Sequence, residues 1–530
     1  MHFSYAHRSV TQPDGARADV FIARFSARSL RFAAITQTDK LTRLRDAAHL
    51  RRYLALARGE TDPVIVAWAC LDHDVPVGEL FPDVDAITGA GEHILSANSW
   101  ITYGLRTLLS RGELRWRAGA WQVAIGDSSP DWRGTAQQII SWLVHENRLW
   151  LETGPAEPRP SMLEFDGFDP MRNLLSIGRC GFVRDYAAAE RPRAAFNTVF
   201  FLLEHDDCVS HHSALGQPHG LGVEAGTITR PPLYRRAAIW HTPASGWHTG
   251  PLGMNDITIE LPGNTVITPS TAPRSAGLRF HLNVADAEDV VLYTRSWGTA
   301  QQGCVLGYTP ECPGRFEITV VDSRIVGWKD GGGLVIPQNG FVLSFAASAL
   351  AQNQVQDLQR SGHVRYRFAN RAHRHIDRAI QCGPQLIRDG TIVLSSHSLD
   401  DEDFWNSRMV DGQHVVGVVP SDYPDDVDRT RAGRIGLGID HDGDLLAVAV
   451  PGISKHVAQT AADSVGVTLR ELAEYLLAEG AVEAINLDGG GSTQLFVDGG
   501  LFARQGDRRG YEGVVFDRMV PAVGVVGTAE

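Results

Sequence analysis

The sequence predicts an α+β protein with a β-rich mixed catalytic domain and an additional N-terminal α/β region. Three observations predict it. Short apolar runs bounded by Asp-Gly, Gly-Gly and Pro-Gly turns recur along the chain, as at Ala18-Asp-Val-Phe-Ile-Ala-Arg-Phe25, Ala238-Ile-Trp240, Asp256-Ile-Thr-Ile-Glu-Leu261 and Val290-Val-Leu-Tyr-Thr294. Helical spacing is confined to a few places: Lys40–Ala57, Thr135–His145 and one segment near the C-terminus. A chain of 530 residues exceeds one ordinary domain, at about 150 residues each.

Composition sets the outer limits. Hydrophobic residues make up 43% and charged residues 21%, which excludes disordered and fibrous classes. A net charge of −13 argues against non-specific binding of a polyphosphate backbone, so nucleic acid is not an expected partner. No run of about 18 apolar residues occurs, so no membrane span is expected. The start, Met1-His-Phe-Ser-Tyr-Ala-His-Arg8, lacks the apolar core of a signal peptide. The six cysteines are scattered without a CxxC pair; three disulfides are arithmetically open, but free thiols and a cytoplasmic location are the expectation.

Along the chain, residues 1–165 read as an N-terminal α/β region of unassigned role, and residues 175–530 as the catalytic domain. The Pro-rich stretch Gly154-Pro-Ala-Glu-Pro-Arg-Pro160 is the expected linker. Its beginning, Ala18–Ile35, either stays with that region or supplies the first strands of the catalytic domain, with the remainder inserted. Thr468-Leu-Arg-Glu471 fits a capping box, with Leu469, Leu472, Ala473, Leu476 and Leu477 at helical spacing and Gly480 as the stop. Val482–Leu487 then reads as a buried strand, followed by Asp488-Gly-Gly-Gly-Ser-Thr493 and a second strand, Gln494–Val497.

That turn is where the chemistry concentrates. Gly489, Gly490 and Gly491 let backbone N–H groups approach a ligand and form an anion nest. Ser492 and Thr493 add hydroxyls, and Asp488 supplies a carboxylate able to act as base, nucleophile or orienter. An ordinary Asp-Gly hairpin turn is the competing reading. No Gly-Lys-Ser/Thr follows, so the segment is not a Walker loop.

Ile485-Asn-Leu-Asp-Gly-Gly-Gly-Ser-Thr493 resembles the signature of the phosphodiester glycosidase family. Further segments resemble that family in order: Phe196-Asn-Thr-Val-Phe-Phe201, Val291-Leu-Tyr-Thr294, Ile336-Pro-Gln-Asn-Gly-Phe-Val-Leu-Ser344, Cys382-Gly-Pro-Gln-Leu-Ile-Arg-Asp-Gly390, Arg434-Ile-Gly-Leu-Gly-Ile-Asp440, Ser464-Val-Gly-Val-Thr-Leu469 and Asp517-Arg-Met-Val-Pro521. The resemblance covers roughly residues 175 to 530. The chain departs from it at Ala449-Val-Pro-Gly-Ile453, where an Asp-Gly-Arg segment is usual, at Cys382 in place of a glycine, and at Asp517 in place of glutamate.

The resemblance implies a hydrolase of sugar-1-phosphate ester bonds, acting on a sugar phosphate, a phosphorylated glycan or a polysaccharide such as an exopolysaccharide, with N-acetylglucosamine as the family's typical sugar. On that reading Asp488, Ser492 and Thr493 are catalytic. Gly489, Gly490, Gly491, Arg434, Arg518, Asn197 and Asn486 bind or orient the substrate and its phosphate, and no cofactor or metal is required. A non-catalytic phosphosugar-binding protein on the same scaffold and a metal-dependent phosphodiesterase are the alternatives. The second rests on His205, His211, His212 and His219, which lack zinc-site spacing. Asp440-His-Asp-Gly-Asp444 is read as a hairpin turn rather than a calcium loop, and Arg365-Tyr-Arg-Phe368 with His373-Arg-His375 as a solvated basic face.

Overall fold

The computed structural model describes residues 3–34, 191–202, 216–272, 277–285, 289–299, 305–321, 323–360, 362–395, 401–404, 430–452, 464–498 and 520–528. It also describes a few single positions and the backbone of short strands at 114–117, 120–123, 132–133, 408–410, 413–415 and 500–504. The helices expected at Lys40–Ala57 and Thr135–His145 and the linker at Gly154–Pro160 lie outside the described residues.

The fold is mostly β. One sheet has seven strands in the order Phe3–Thr11, Arg17–Phe25, Leu445–Val450, Arg434–Asp440, Ala481–Asn486, Gln385–Arg388 and Thr391–Ile392. A five-stranded sheet runs Gly500–Arg504, Gln494–Val497, Pro192–Asn197, Ala522–Thr528 and Leu30–Ala34. A second five-stranded sheet contains Arg236–Thr242 and Arg378–Gln381, and an eight-stranded sheet contains Val290–Tyr293, Glu311–Val321 and Gly340–Ala346. No helix among the described residues is long and apolar enough to cross a membrane.

Residues 3–34 sit inside sheets otherwise built from later parts of the chain. Arg17–Phe25 pairs antiparallel with Leu445–Val450, with Phe21 opposite Ala449 and Phe25 opposite Leu445. Leu30–Ala34 pairs with Ala522–Thr528 at the edge of the five-stranded sheet. The apolar run read at Ala18–Phe25 thus becomes a central strand, and its side chains Val20, Ile22 and Phe25 join one core with Phe196, Leu437, Val448 and Leu472.

The small-residue pattern of Arg434-Ile-Gly-Leu-Gly-Ile-Asp440 has a packing cause. A Cβ at Gly436 would stand 2.8 Å from Leu476 Cδ1 and 3.3 Å from Leu472 Cδ2, so the helix Leu469–Ala478 rests directly on this strand. Leu445–Val450, buried at every position, continues the surface beneath the same helix. Burial of both faces of this strand explains why its sequence is apolar without alternation.

That helix starts as its sequence specifies. The Thr468 hydroxyl accepts from the Glu471 N–H at 3.2 Å, and the Glu471 carboxylate accepts from the Thr468 N–H at 2.8 Å. Gly480 follows the last turn at φ 95°, the left-handed conformation of a helix stop. Glu471 also pairs with Arg431 at 2.7 Å, and these hydrogen bonds hold its pKa below the ordinary carboxylate value although burial alone would raise it. A lowered folded-state pKa means stabilisation present above the unfolded pKa and lost as pH falls through the folded one. Glu471→Gln is therefore expected to cost about 1 kcal/mol at pH 7. Urea denaturation should show the difference from wild type shrinking as pH drops below about 4.

Two minor expectations are met. Asp440 Oδ1 accepts from the N–H groups of Asp442 and Asp444 at 3.0 and 2.9 Å, closing a hairpin turn between adjacent strands. On Arg365–Phe368 the arginines are exposed while Tyr366 and Phe368 are buried, which makes the basic residues a solvated strand face. Of the six cysteines, Cys312 and Cys382 fall among the described residues, and both are free thiols.

Candidate active site

The turn Asp488–Thr493 joins strands of two different sheets. Ala481–Asn486 lies inside the seven-stranded sheet and Gln494–Val497 inside the five-stranded one, so the chain crosses between layers at this point. A short 3-10 turn, Gly490–Ser492, makes the crossing.

The turn is held from two sides. On one side, Asn197, fully buried at the end of Pro192–Asn197, donates from Nδ2 to the Asp488 carbonyl and accepts the Gln494 N–H at Oδ1 (3.0 Å). The neighbouring Thr198 carbonyl accepts the Asp488 N–H at 2.8 Å. On the other side, Gly490, at φ 57°, donates its N–H to the Gly433 carbonyl at 2.7 Å. A Cβ at Gly489 would stand 2.8 Å from that same carbonyl oxygen and 3.4 Å from Arg434 Cδ. Glycine at 489 is thus a condition of close backbone approach.

Arg434 is 1% exposed and runs beneath Gly489. Its guanidinium donates to the carbonyls of Val467 (3.4 Å) and Thr430 (3.3 Å). Asn486 donates from Nδ2 to the Gly383 carbonyl at 2.9 Å, while its backbone exchanges bonds with Gly383 and Pro384 across a cis peptide. Arg518 lies outside the described residues.

The glycine nest is less open than its sequence suggests. Besides Gly490, the N–H groups of Ser492 and Thr493 donate inside the turn, to Gly489 and Gly490 at 3.1 and 3.2 Å. The hydroxyls behave differently. Ser492 Oγ and Thr493 Oγ1 are both on fully buried residues and have no hydrogen-bond partner among the described residues, and Asn486 Oδ1 shares that condition. Leaving one such group unmet costs about 1–3 kcal/mol, so each calls for a partner beyond the described residues.

Asp488, 5% exposed, faces Cys382. Burial first, and then the Asp488 carboxylate, push the Cys382 thiol well above its ordinary pKa, so it is a neutral thiol at this spot. Behind Cys382 stands a buried charged group. The Glu402 carboxylate accepts the N–H groups of Ala237 (2.7 Å) and Gln385 (2.8 Å), and Arg236 Nε points to the Glu402 carbonyl at 3.4 Å. Arg236 lies over the Phe404, Tyr234 and Phe200 rings at 4.3, 4.6 and 5.9 Å.

The structure thus gathers Asn197, Arg434, Asn486, Asp488, the three glycines, Ser492 and Thr493. Arg236 and Glu402 were not singled out in the sequence, and Phe200 entered only within the family-like segment Phe196–Phe201. Arg236 and Glu402 lie far apart in the chain, and only the fold brings them together. Of the candidate metal histidines, His219 is described and lies between aromatic rings; His205, His211 and His212 lie outside the described residues.

Residues 317–525 match the family model described as phosphodiester glycosidase. This region is similar to phosphodiester glycosidase domains. It contains Arg434, Asn486 and the entire Asp488–Thr493 turn, while Asn197 and His219 precede it. Solved structures similar to the chain include a hypothetical protein from Synechocystis, at 15% identity and a TM-score of 0.41, covering 99% of this chain and 62% of that one. They also include the zebrafish N-acetylglucosamine-1-phosphodiester alpha-N-acetylglucosaminidase catalytic domain auto-inhibited by its pro-peptide. It shows 10% identity and a TM-score of 0.34, covering 100% of this chain and 83% of that one. The chain thus spans about three fifths of the Synechocystis protein. No curated protein matches the sequence.

Proposed function

We infer that the phosphodiester glycosidase-like domain hydrolyses a sugar-1-phosphate ester, releasing the sugar from a phosphorylated glycan or polysaccharide. The observation that carries this reading is the buried Asp488 carboxylate at a sheet-crossing turn, beside two buried hydroxyls without a partner among the described residues.

The chemistry suits such a site. The bond to be broken joins the anomeric carbon to a phosphodiester oxygen, and the departing phosphate monoester is already a stable anion. A strong general acid is therefore less necessary than in ordinary glycoside hydrolysis, where an alkoxide must be protonated as it leaves. Asp488 acts at the anomeric carbon, either taking a proton from the attacking water or attacking first itself. Inversion at that carbon assigns the first role and retention the second. Water oxygen ends on the sugar, and the C–O bonding pair leaves with the phosphate. The Ser492 and Thr493 hydroxyls donate to oxygens of the substrate, and Asn197, Asn486 and Arg434 hold the turn in place.

Gly489→Ala tests the positioning. Its Cβ cannot coexist with the Gly433 carbonyl, so the turn must lift off Arg434. Displacement of that order is expected to lower kcat about 10²-fold, with thermal unfolding still cooperative.

The direct test is turnover of N-acetylglucosamine-1-phospho-6-O-methyl mannoside and of sugar phosphodiesters carrying glucose, galactose or mannose instead. Release of free sugar from at least one, unchanged by chelator, is the expected result. Tight binding of a phosphodiester without turnover of any would make the protein a phosphosugar binder on this scaffold.

A further inference from the structure

Beyond the turn, the buried polar surface continues in a different character. His219 is 3% exposed, and its N–H donates to the Phe200 carbonyl at 3.1 Å. Its ring stacks on Phe200, with centroids 6.2 Å apart and 19° between planes, and meets Tyr234 edge-on at 5.8 Å. Neither ring nitrogen has a hydrogen-bond partner among the described residues. Gln338 is fully buried, and neither its side-chain oxygen nor its nitrogen has one either.

These two residues are linked through Tyr234, and His219 is linked to the turn through the segment Thr198–Phe200. Asn339 Nδ2 donates to Gln217 Oε1 at 2.6 Å, which ties segments 217–219 and 338–339 directly, and Tyr234, whose ring meets His219, donates its hydroxyl to the Gln338 carbonyl. Phe200, which carries His219, is two residues from Thr198, which anchors Asp488. Two residues of chain span at most about 7 Å.

Four buried polar atoms without a partner among the described residues, at about 1–3 kcal/mol each, require an explanation, and it must suit their chemistry. Burial, reinforced by Arg236 and Arg230, pushes the His219 pKa well below its ordinary value, so the ring is neutral and offers one donor and one acceptor. Gln338 likewise offers both. Uncharged donor–acceptor pairs against aromatic rings suit hydroxyls on a ring with apolar faces, and suit a phosphate poorly, since an unprotonated acceptor nitrogen repels it.

We propose that His219 and Gln338 form a subsite for the uncharged sugar ring, selecting its hydroxyl pattern while the phosphate lies at the Asp488–Thr493 turn. The subsite rests on the glycosyl-phosphodiester reading for its ligand, but its test does not depend on turnover.

The experiment is calorimetric titration of the full chain with free glucose, galactose, mannose and N-acetylglucosamine, and separately with methyl phosphate. It uses wild type, His219→Phe and Gln338→Leu. At least one sugar should bind wild type and bind each variant about 10-fold or more weaker, the loss of one buried hydrogen bond, with methyl phosphate affinity unchanged. His219→Gln, which keeps a donor and an acceptor and so preserves folding, should change the preference among the four sugars. Binding of none of them, or affinities and preferences indifferent to all three substitutions, overturns the proposal, since buried waters would then satisfy these atoms. Sugar binding through His219 and Gln338 without hydrolysis of any phosphodiester would retain the subsite and remove the hydrolase reading. Hydrolysis with variant-indifferent sugar binding would do the reverse.

Discussion

Asp488→Asn is expected to lower kcat on any sugar phosphodiester the protein hydrolyses by about 10³-fold or more, within the range for loss of a positioned base. The substitution is nearly isosteric, and the backbone groups that fix residue 488 survive it. Its N–H still donates to Thr198 and its carbonyl still accepts from Asn197. Unfolding should therefore change little, and KM should change far less than kcat. A steady-state comparison with a matched denaturation curve checks both. A variant retaining a tenth of wild-type activity would remove Asp488 from the reacting centre.

Arg236→Leu is expected to be the most destabilising single substitution near the site, at about 3–5 kcal/mol. Arg236 is 2% exposed and is the cation set among Glu402, Asp403 and three aromatic rings. Burial already raises the pKa of both carboxyls, chiefly offset by backbone N–H bonds and then by Arg236. Groups whose folded pKa is raised stabilise the fold below the unfolded pKa and lose that contribution as pH rises through the folded value. Without the guanidinium the rise is larger, so the variant's deficit should be greatest at neutral pH and smaller at about pH 4, where the carboxyls are protonated. Urea denaturation at the two pH values checks this. A loss below about 1 kcal/mol at pH 7 would mean the arginine is not what compensates these carboxyls.

Local features were legible in the sequence because local chemistry determines them. The Thr468–Glu471 capping box, the Gly480 stop and the strand–turn–strand around Asp488 all form where their residues specify. The Asp440–Asp444 hairpin is another such case, closed by a side chain on its own backbone. Long-range pairing was not legible. Nothing in Ala18–Phe25 states that its partner is Leu445–Val450, more than four hundred residues later, because an apolar strand pairs with any strand of matching burial.

The same division runs through the site. Asp488, the three glycines, Ser492 and Thr493 are consecutive, so one motif shows them together. Asn197 reaches the turn only through strand pairing, and the resemblance of Phe196–Phe201 to a family segment was what pointed to it. Arg236 and Glu402 had no such pointer. A turn tight enough to cross between two sheets uses the N–H groups of Gly490, Ser492 and Thr493 to hold its shape, while the Ser492 and Thr493 hydroxyls have no partner among the described residues.

The central claim is that the protein breaks the bond between the anomeric carbon and the phosphodiester oxygen. Hydrolysis in oxygen-18 water, with both products analysed by mass spectrometry, locates that bond. The label should appear in the free sugar and be absent from the phosphate monoester. Label in the phosphate would place the reaction at phosphorus and contradict the glycosidase account.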